Sequence, residues 1–152
     1  MVTVKETRKK RARRARAEHI RGCRMQVSVR EFGAMPADEP AIAGGTDTGP
    51  TPLEYVTSGL AACQLVTIVK LAEAMNFKFA ELNVEAETDV AFRAASRDMS
   101  PVPRFTAARM VVHLQSDEPG ARRSQLIELV EERCPVSKLF ADAALPVEVE
   151  WR

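Results

Sequence analysis

Histidine and cysteine are scarce in this chain of 152 residues, and their spacing is unhelpful to a metal. There are two histidines, His19 and His113, and three cysteines, Cys23, Cys63 and Cys134. No two cysteines share a Cys-x-x-Cys spacing, so a zinc centre would need ligands gathered from distant positions. Three cysteines cannot all pair with one another, and a reducing compartment favours a transient catalytic disulfide over a stable structural one. Also missing are an apolar signal-peptide core near the N-terminus and any run of about 18 uncharged apolar residues. Neither secretion nor membrane insertion is signalled, and a cytoplasmic location is the expectation. Gly44-Gly45 to Gly49 lacks a following Gly-Lys-Ser/Thr and does not fit Gly-x-Gly-x-x-Gly, and the helix after it opens with Pro52. A phosphate-cradling loop is therefore not indicated.

Charge is nearly balanced overall but unevenly placed. Residues 1–30 carry eleven Lys and Arg against two Glu, a net of +9, and the remainder carries eleven basic and nineteen acidic side chains, a net of −8. The run from Lys5 to Arg16 could neutralise phosphates, but it has no interleaved aromatic residues and no recognised nucleic-acid motif. The reading adopted is a basic arm over residues 1–15, solvated or docked on acidic surface of the same chain or of a partner subunit. Residues 16–152 are expected to form one domain.

What is present is a clear element pattern. Alternation from Arg16 to Glu31 predicts a β-hairpin turning near Arg21-Gly22, with Cys23 as an apolar strand residue. Pro- and Gly-rich sequence then runs to Pro52. Residues 52–76 predict one long helix, with Thr51 as N-cap, Pro52 at its first position and Glu54 placed to complete a capping box. Because that helix is apolar around nearly its whole circumference, it is expected to be buried. Glu54, Gln64, Lys70 and Glu73 argue against a bilayer. Residues 82–90 and 105–114 predict an antiparallel strand pair, with a polar loop at 96–103. An amphipathic helix follows Pro119 and Gly120, broken at Cys134-Pro135 before a short helix over 136–143. Residues 146–151 close the chain as a strand. The order is α+β with antiparallel sheet.

Cys63 falls in the middle of the long helix, too far from its N-terminus for the macrodipole to ionise it, so activation requires a cation from elsewhere. Cys134, beside the start of the short helix, has backbone donors nearby that favour its thiolate. Residue chemistry alone leaves two readings of these cysteines open, core filler or reagent.

Gly45-Thr-Asp-Thr-Gly-Pro-Thr-Pro-Leu-Glu54, then Ser58-Gly-Leu-Ala-Ala-Cys63, and later Cys134-Pro-Val-Ser137 together resemble the osmotically inducible protein C / organic hydroperoxide resistance family (OsmC/Ohr), over roughly residues 16–151. The resemblance implies an intertwined homodimer, each long central helix lying under a curved sheet, with active sites at the subunit interface. It implies a thiol peroxidase that reduces organic hydroperoxides through a Cys63 sulfenic acid and a Cys63–Cys134 disulfide, reset by a dithiol reductant, with no cofactor and no metal. It implies that an arginine from the early hairpin, Arg21 before Arg24, and a carboxylate at the helix start hold the thiolate. Leu53 stands where that carboxylate is expected, and Glu54 follows about 100° further round the helix. This departure keeps a second reading in play: a protein of the same fold that binds a small apolar ligand at the dimer interface without peroxidase activity.

Overall fold

The computed structural model describes residues 11–91 and 102–152. The first ten residues of the expected basic arm and residues 96–101 of the expected polar loop lie outside that range. The chain divides into two compact units, the first ending at Thr51 and the second running Pro52–Arg152.

The first unit is a three-stranded antiparallel sheet in the order β1 (Arg16–Arg21), β2 (Arg24–Ser28), β3 (Met35–Ala37). The hairpin turns at Gly22, whose φ of 54° lies in the left-handed region that glycine enters without steric cost. Cys23 lies in this turn, not within a strand as expected. β3 was not anticipated, because three residues containing Pro36 carry no period to read; it pairs with β2 through Met25, Gln26 and Val27. Past it, the glycine loop is organised around Asp38, which is fully buried. The Asp38 carboxylate accepts from the backbone N–H of Glu39, Thr46 and Thr48 and from the hydroxyls of Thr46 (2.6 Å) and Thr48 (2.8 Å). Led by the Thr46 hydroxyl, these bonds hold the carboxyl well below its ordinary range, outweighing the upward push of burial. The loop does cradle an anion, and that anion is its own side chain. A Cβ on Gly45 would fall 1.8 Å from the Glu39 carbonyl oxygen, so the closed loop excludes any side chain there.

The second unit opens with α1 (Pro52–Ala74), begun by proline as the sequence predicts. β4 (Glu81–Ala91) and β5 (Arg104–Gln115) pair antiparallel, with Leu82, Val84 and Ala86 opposite Leu114, Val112 and Met110. Inward positions of β5 are apolar and the outer face carries charge. There Arg109 bridges Glu87 (2.7 Å) and Asp89 (3.0 Å). α2 (Gly120–Arg133) and α3 (Pro135–Asp142) then return the chain to β6 (Glu148–Trp151). β6 lies parallel to β5, pairing Val149 with Met110 and Trp151 with Val112, so the sheet is mixed and the antiparallel expectation fails at its last strand. The cause is the helical crossover, which carries the chain back to the end where β5 began.

The core has two parts. Ile68, Ala72, Phe77, Val112, Leu114, Leu126 and Val130 form one. Leu60, Ala108, Met110 and Phe140 form the other, with Phe105 edge-on to Phe140 at 5.8 Å between centroids. α1 contributes Leu60, Gln64, Thr67, Ile68 and Ala72, a single face. Leu65, Val66 and Val69 on the opposite face, and Leu53 and Val56 in the first turns, are exposed. The expectation of a helix buried all round is therefore corrected for the single chain: one face packs and the other does not.

Candidate active site

Cys134 is the hinge point between α2 and α3. Its N–H completes α2 by donating to Val130 O (3.1 Å), and its carbonyl starts α3 by accepting from Lys138 N (3.0 Å). Pro135 then occupies the first helical position without an N–H, so Val136 bears the first backbone donor that α3 cannot use internally. That N–H lies near enough to Cys63 to favour its thiolate. The sequence had assigned such donors to Cys134, whereas this one serves the other cysteine.

Cys63 is half-buried, Cys134 is fully buried, and both are free thiols. They are neighbours, close enough for Cys134 to act on the Cys63 thiol. Burial pushes the Cys63 thiol above its ordinary value, and the Val136 N–H opposes that rise. Cys134 raises it further, by repulsion between the two sulfurs as anions and by the hydrogen bond that favours the protonated form. Thr67, one turn along α1, lowers it through its hydroxyl, which also donates to the Cys63 carbonyl at 2.7 Å. Among the described residues of the second unit, Cys63 thus has two hydrogen-bond donors favouring its thiolate and no cation acting on it.

Within the second unit, Glu54 stands apart from this pair. Glu54 lies in the first turn of α1, nine residues before Cys63 and about 13 Å along the axis. It lines a cleft of about 550 Å³ with Leu53, Thr57 and Ser58 against Glu87 and Thr88 of β4. An acidic group there complements the helix N-terminus. Arg21 and Arg24 are cross-strand partners beside the Gly22 turn of the first unit. Like charges directly opposite in a strand pair disfavour it, which leaves both guanidiniums suited to an anion. Thr67 and the Val136 N–H went unnoticed in the sequence. A threonine four residues after a helical cysteine is a readable signal, and so is the residue after a helix-opening proline. Among the described residues, no cluster of three His, Cys, Asp or Glu side chains is placed to hold a metal ion.

Comparison with known structures gives the fold a setting. An OsmC like protein from Mycoplasma pneumoniae matches with a TM-score of 0.77 at 20% identity, over 93% of this chain and 96% of that one. The organic hydroperoxide resistance protein OhrB of Bacillus subtilis matches at 0.67 and 19% identity, over 93% and 98%. An organic hydroperoxide resistance protein from Vibrio cholerae, with captopril bound in one of its active sites, matches at 0.71 and 18% identity, over 97% and 95%. Comparison with curated protein sequences gives no match. The family model described as OsmC-like protein matches residues 45–150, which span α1, Cys63, Cys134 and all of the second sheet but its last residue. The chain therefore belongs to the OsmC-like family.

Proposed function

We propose that the chain is a thiol-dependent peroxidase acting on organic hydroperoxides, and less efficiently on hydrogen peroxide. The observation that carries this reading is the proximity of Cys63 and Cys134, two free thiols 71 positions apart in sequence that come together near the start of α3. Relatives named for organic hydroperoxide resistance support the substrate class. In the proposed cycle the Cys63 thiolate attacks one peroxide oxygen, the O–O bond breaks, and the alkoxide leaves as the alcohol after taking a proton. Cys63 is left as a sulfenic acid. The Cys134 sulfur then displaces the sulfenic oxygen as water, giving a Cys63–Cys134 disulfide that a dithiol reductant returns to two thiols. Because burial raises the Cys63 thiol, the cycle requires a cation at the sulfur, and Arg21, or after it Arg24, is assigned that part. Glu54 is assigned to align the guanidinium. Two such chains forming a homodimer would cover the exposed face of α1, and a cytoplasmic reducing environment suits the free thiols.

The test is a thiol count after one equivalent of cumene hydroperoxide. Two thiols per chain should disappear in the wild type and none in Cys63→Ser. Full turnover by Cys63→Ser sinks the mechanism.

A second reading is favoured by Leu53 and Val56, exposed on α1 in the turns that lead to Cys63. In it, this apolar stripe binds a small apolar ligand at the dimer interface and Cys63 does not turn over. A Cys63 pKa at or above the ordinary ~8.5 in the assembled protein would select this reading, and one well below 7 would select the peroxidase.

A further inference from the structure

Beside each cysteine lies a polar side chain that the proposed peroxide chemistry does not use. Gln64, next to Cys63, is 1% exposed, and neither its Nε2 nor its Oε1 has a partner. Turning the amide over does not change this. Ser137, three residues past Cys134, has a buried Oγ that is likewise unpartnered. Native interiors rarely leave such groups alone, because desolvating a donor or acceptor without replacing its water is costly. Both residues line one half-open cavity of about 230 Å³ between α1, the end of α2, α3 and the approach to β6. Val147 and Val149 make an apolar wall, and Glu131 and Lys138, both exposed, also border it.

We propose that this cavity is a binding site for a small zwitterion the size of a free amino acid. The Gln64 amide offers a donor and an acceptor side by side, so a lone anion would face its oxygen and a lone cation its N–H groups. A ligand carrying both charges meets each with its complement. Its carboxylate goes to Gln64 Nε2, the Ser137 hydroxyl and the Lys138 ammonium, and its ammonium to Gln64 Oε1 and the Glu131 carboxylate. The volume is below the range usual for drug-sized ligands and suits a small amino acid with its side chain on the valine wall. The site stands whether or not Cys63 turns over peroxide.

The test is saturation-transfer NMR on the full chain, with glycine, L-alanine, L-serine and L-proline as probes and acetate and methylammonium as single-charge controls. Transfer to at least one amino acid is expected, with both controls at least roughly tenfold weaker. Gln64→Met, which preserves volume, should abolish the signal, and Lys138→Met, a surface change that leaves the fold alone, should weaken it by a similar factor. The same volume would hold about eight waters at ~30 Å³ each. A site filled only by solvent would show no transfer to any amino acid, and that result overturns the proposal. So would acetate binding as tightly as the amino acids, or an unchanged signal in Lys138→Met.

Discussion

Thr67 has one hydroxyl proton and two acceptors within reach, the carbonyl of Cys63 and its sulfur. While Cys63 is a thiol the carbonyl is the better acceptor; once it ionises, the thiolate competes for the same proton. Thr67→Val keeps the shape and removes the donor, so the Cys63 pKa should rise and Thr67→Ser should restore it. The pH dependence of Cys63 alkylation by iodoacetamide, followed by mass spectrometry, reads both, and an unmoved profile in Thr67→Val would show that the hydroxyl serves only the helix. Cys134→Ala should act the opposite way, lowering the Cys63 pKa, because Cys134 disfavours the thiolate both by charge and by hydrogen bond. Asp38 gives a stability prediction whose sign follows from its depressed pKa. Folding favours its ionised form, so its contribution is complete above the unfolded value of ~3.9 and is lost as pH falls below that, toward its folded value. Asp38→Asn turns amide hydrogens toward the Thr46 and Thr48 donors and should loosen the loop at neutral pH. Amide hydrogen exchange at Thr46 and Thr48 should then be fast at pH 7 in the variant, whereas in the wild type protection should fail only in acid. Equal protection in both proteins at pH 7 would contradict this account.

α1 has two faces with different energetic roles, and substitution distinguishes them. Ile68 is fully buried against Val112 and Leu126, so Ile68→Ala should cost about 2–5 kcal/mol in urea unfolding. Val66→Ala on the opposite face should change the stability of a single chain by no more than roughly 0.5 kcal/mol. A larger loss at Val66 would mean that something covers that face in solution. The sequence made the bounds of α1, the β4–β5 pair and the break at Cys134-Pro135 legible, because period and proline act locally. It could not show which apolar face of α1 is packed: hydrophobicity states a demand for burial, and the neighbours decide where it is met. The direction of β6 was hidden for a related reason, since alternation at Val147, Val149 and Trp151 is the same whichever way the strand runs. The cysteine pair was suggested by resemblance to a family, not by spacing. The Val136 N–H was harder to foresee, because backbone donors leave no mark in side-chain pattern, and only the proline before it limits which donor comes first.

At the scale of the whole molecule, the exposed apolar side chains of α1 and the need for a cation at Cys63, which no described residue of the second unit meets, are two gaps that one event could close. Leu65, Val66 and Val69 lie at helical spacing on one side of α1 and are between a third and a half exposed. Neighbouring apolar side chains of this kind mark an association surface more often than a solvated one. Pairing with a second copy about a twofold axis would bring the same residues of each chain together, so one substitution acts twice. Val66→Glu places two carboxylates in that contact and leaves the core of either chain untouched. Light scattering should find the wild type at twice the mass of a single chain and Val66→Glu at the mass of one, with matching far-UV circular dichroism. Peroxidase assays on the same samples then locate the cation. If the activating arginine comes from the partner, activity should fall together with the dimer, and the Cys63 alkylation profile should move to higher pH as the thiolate loses its counter-charge. If the monomeric variant keeps the wild-type rate and profile, the arginine is supplied within one chain. A wild type that is already monomeric would remove the dimer from the proposal altogether.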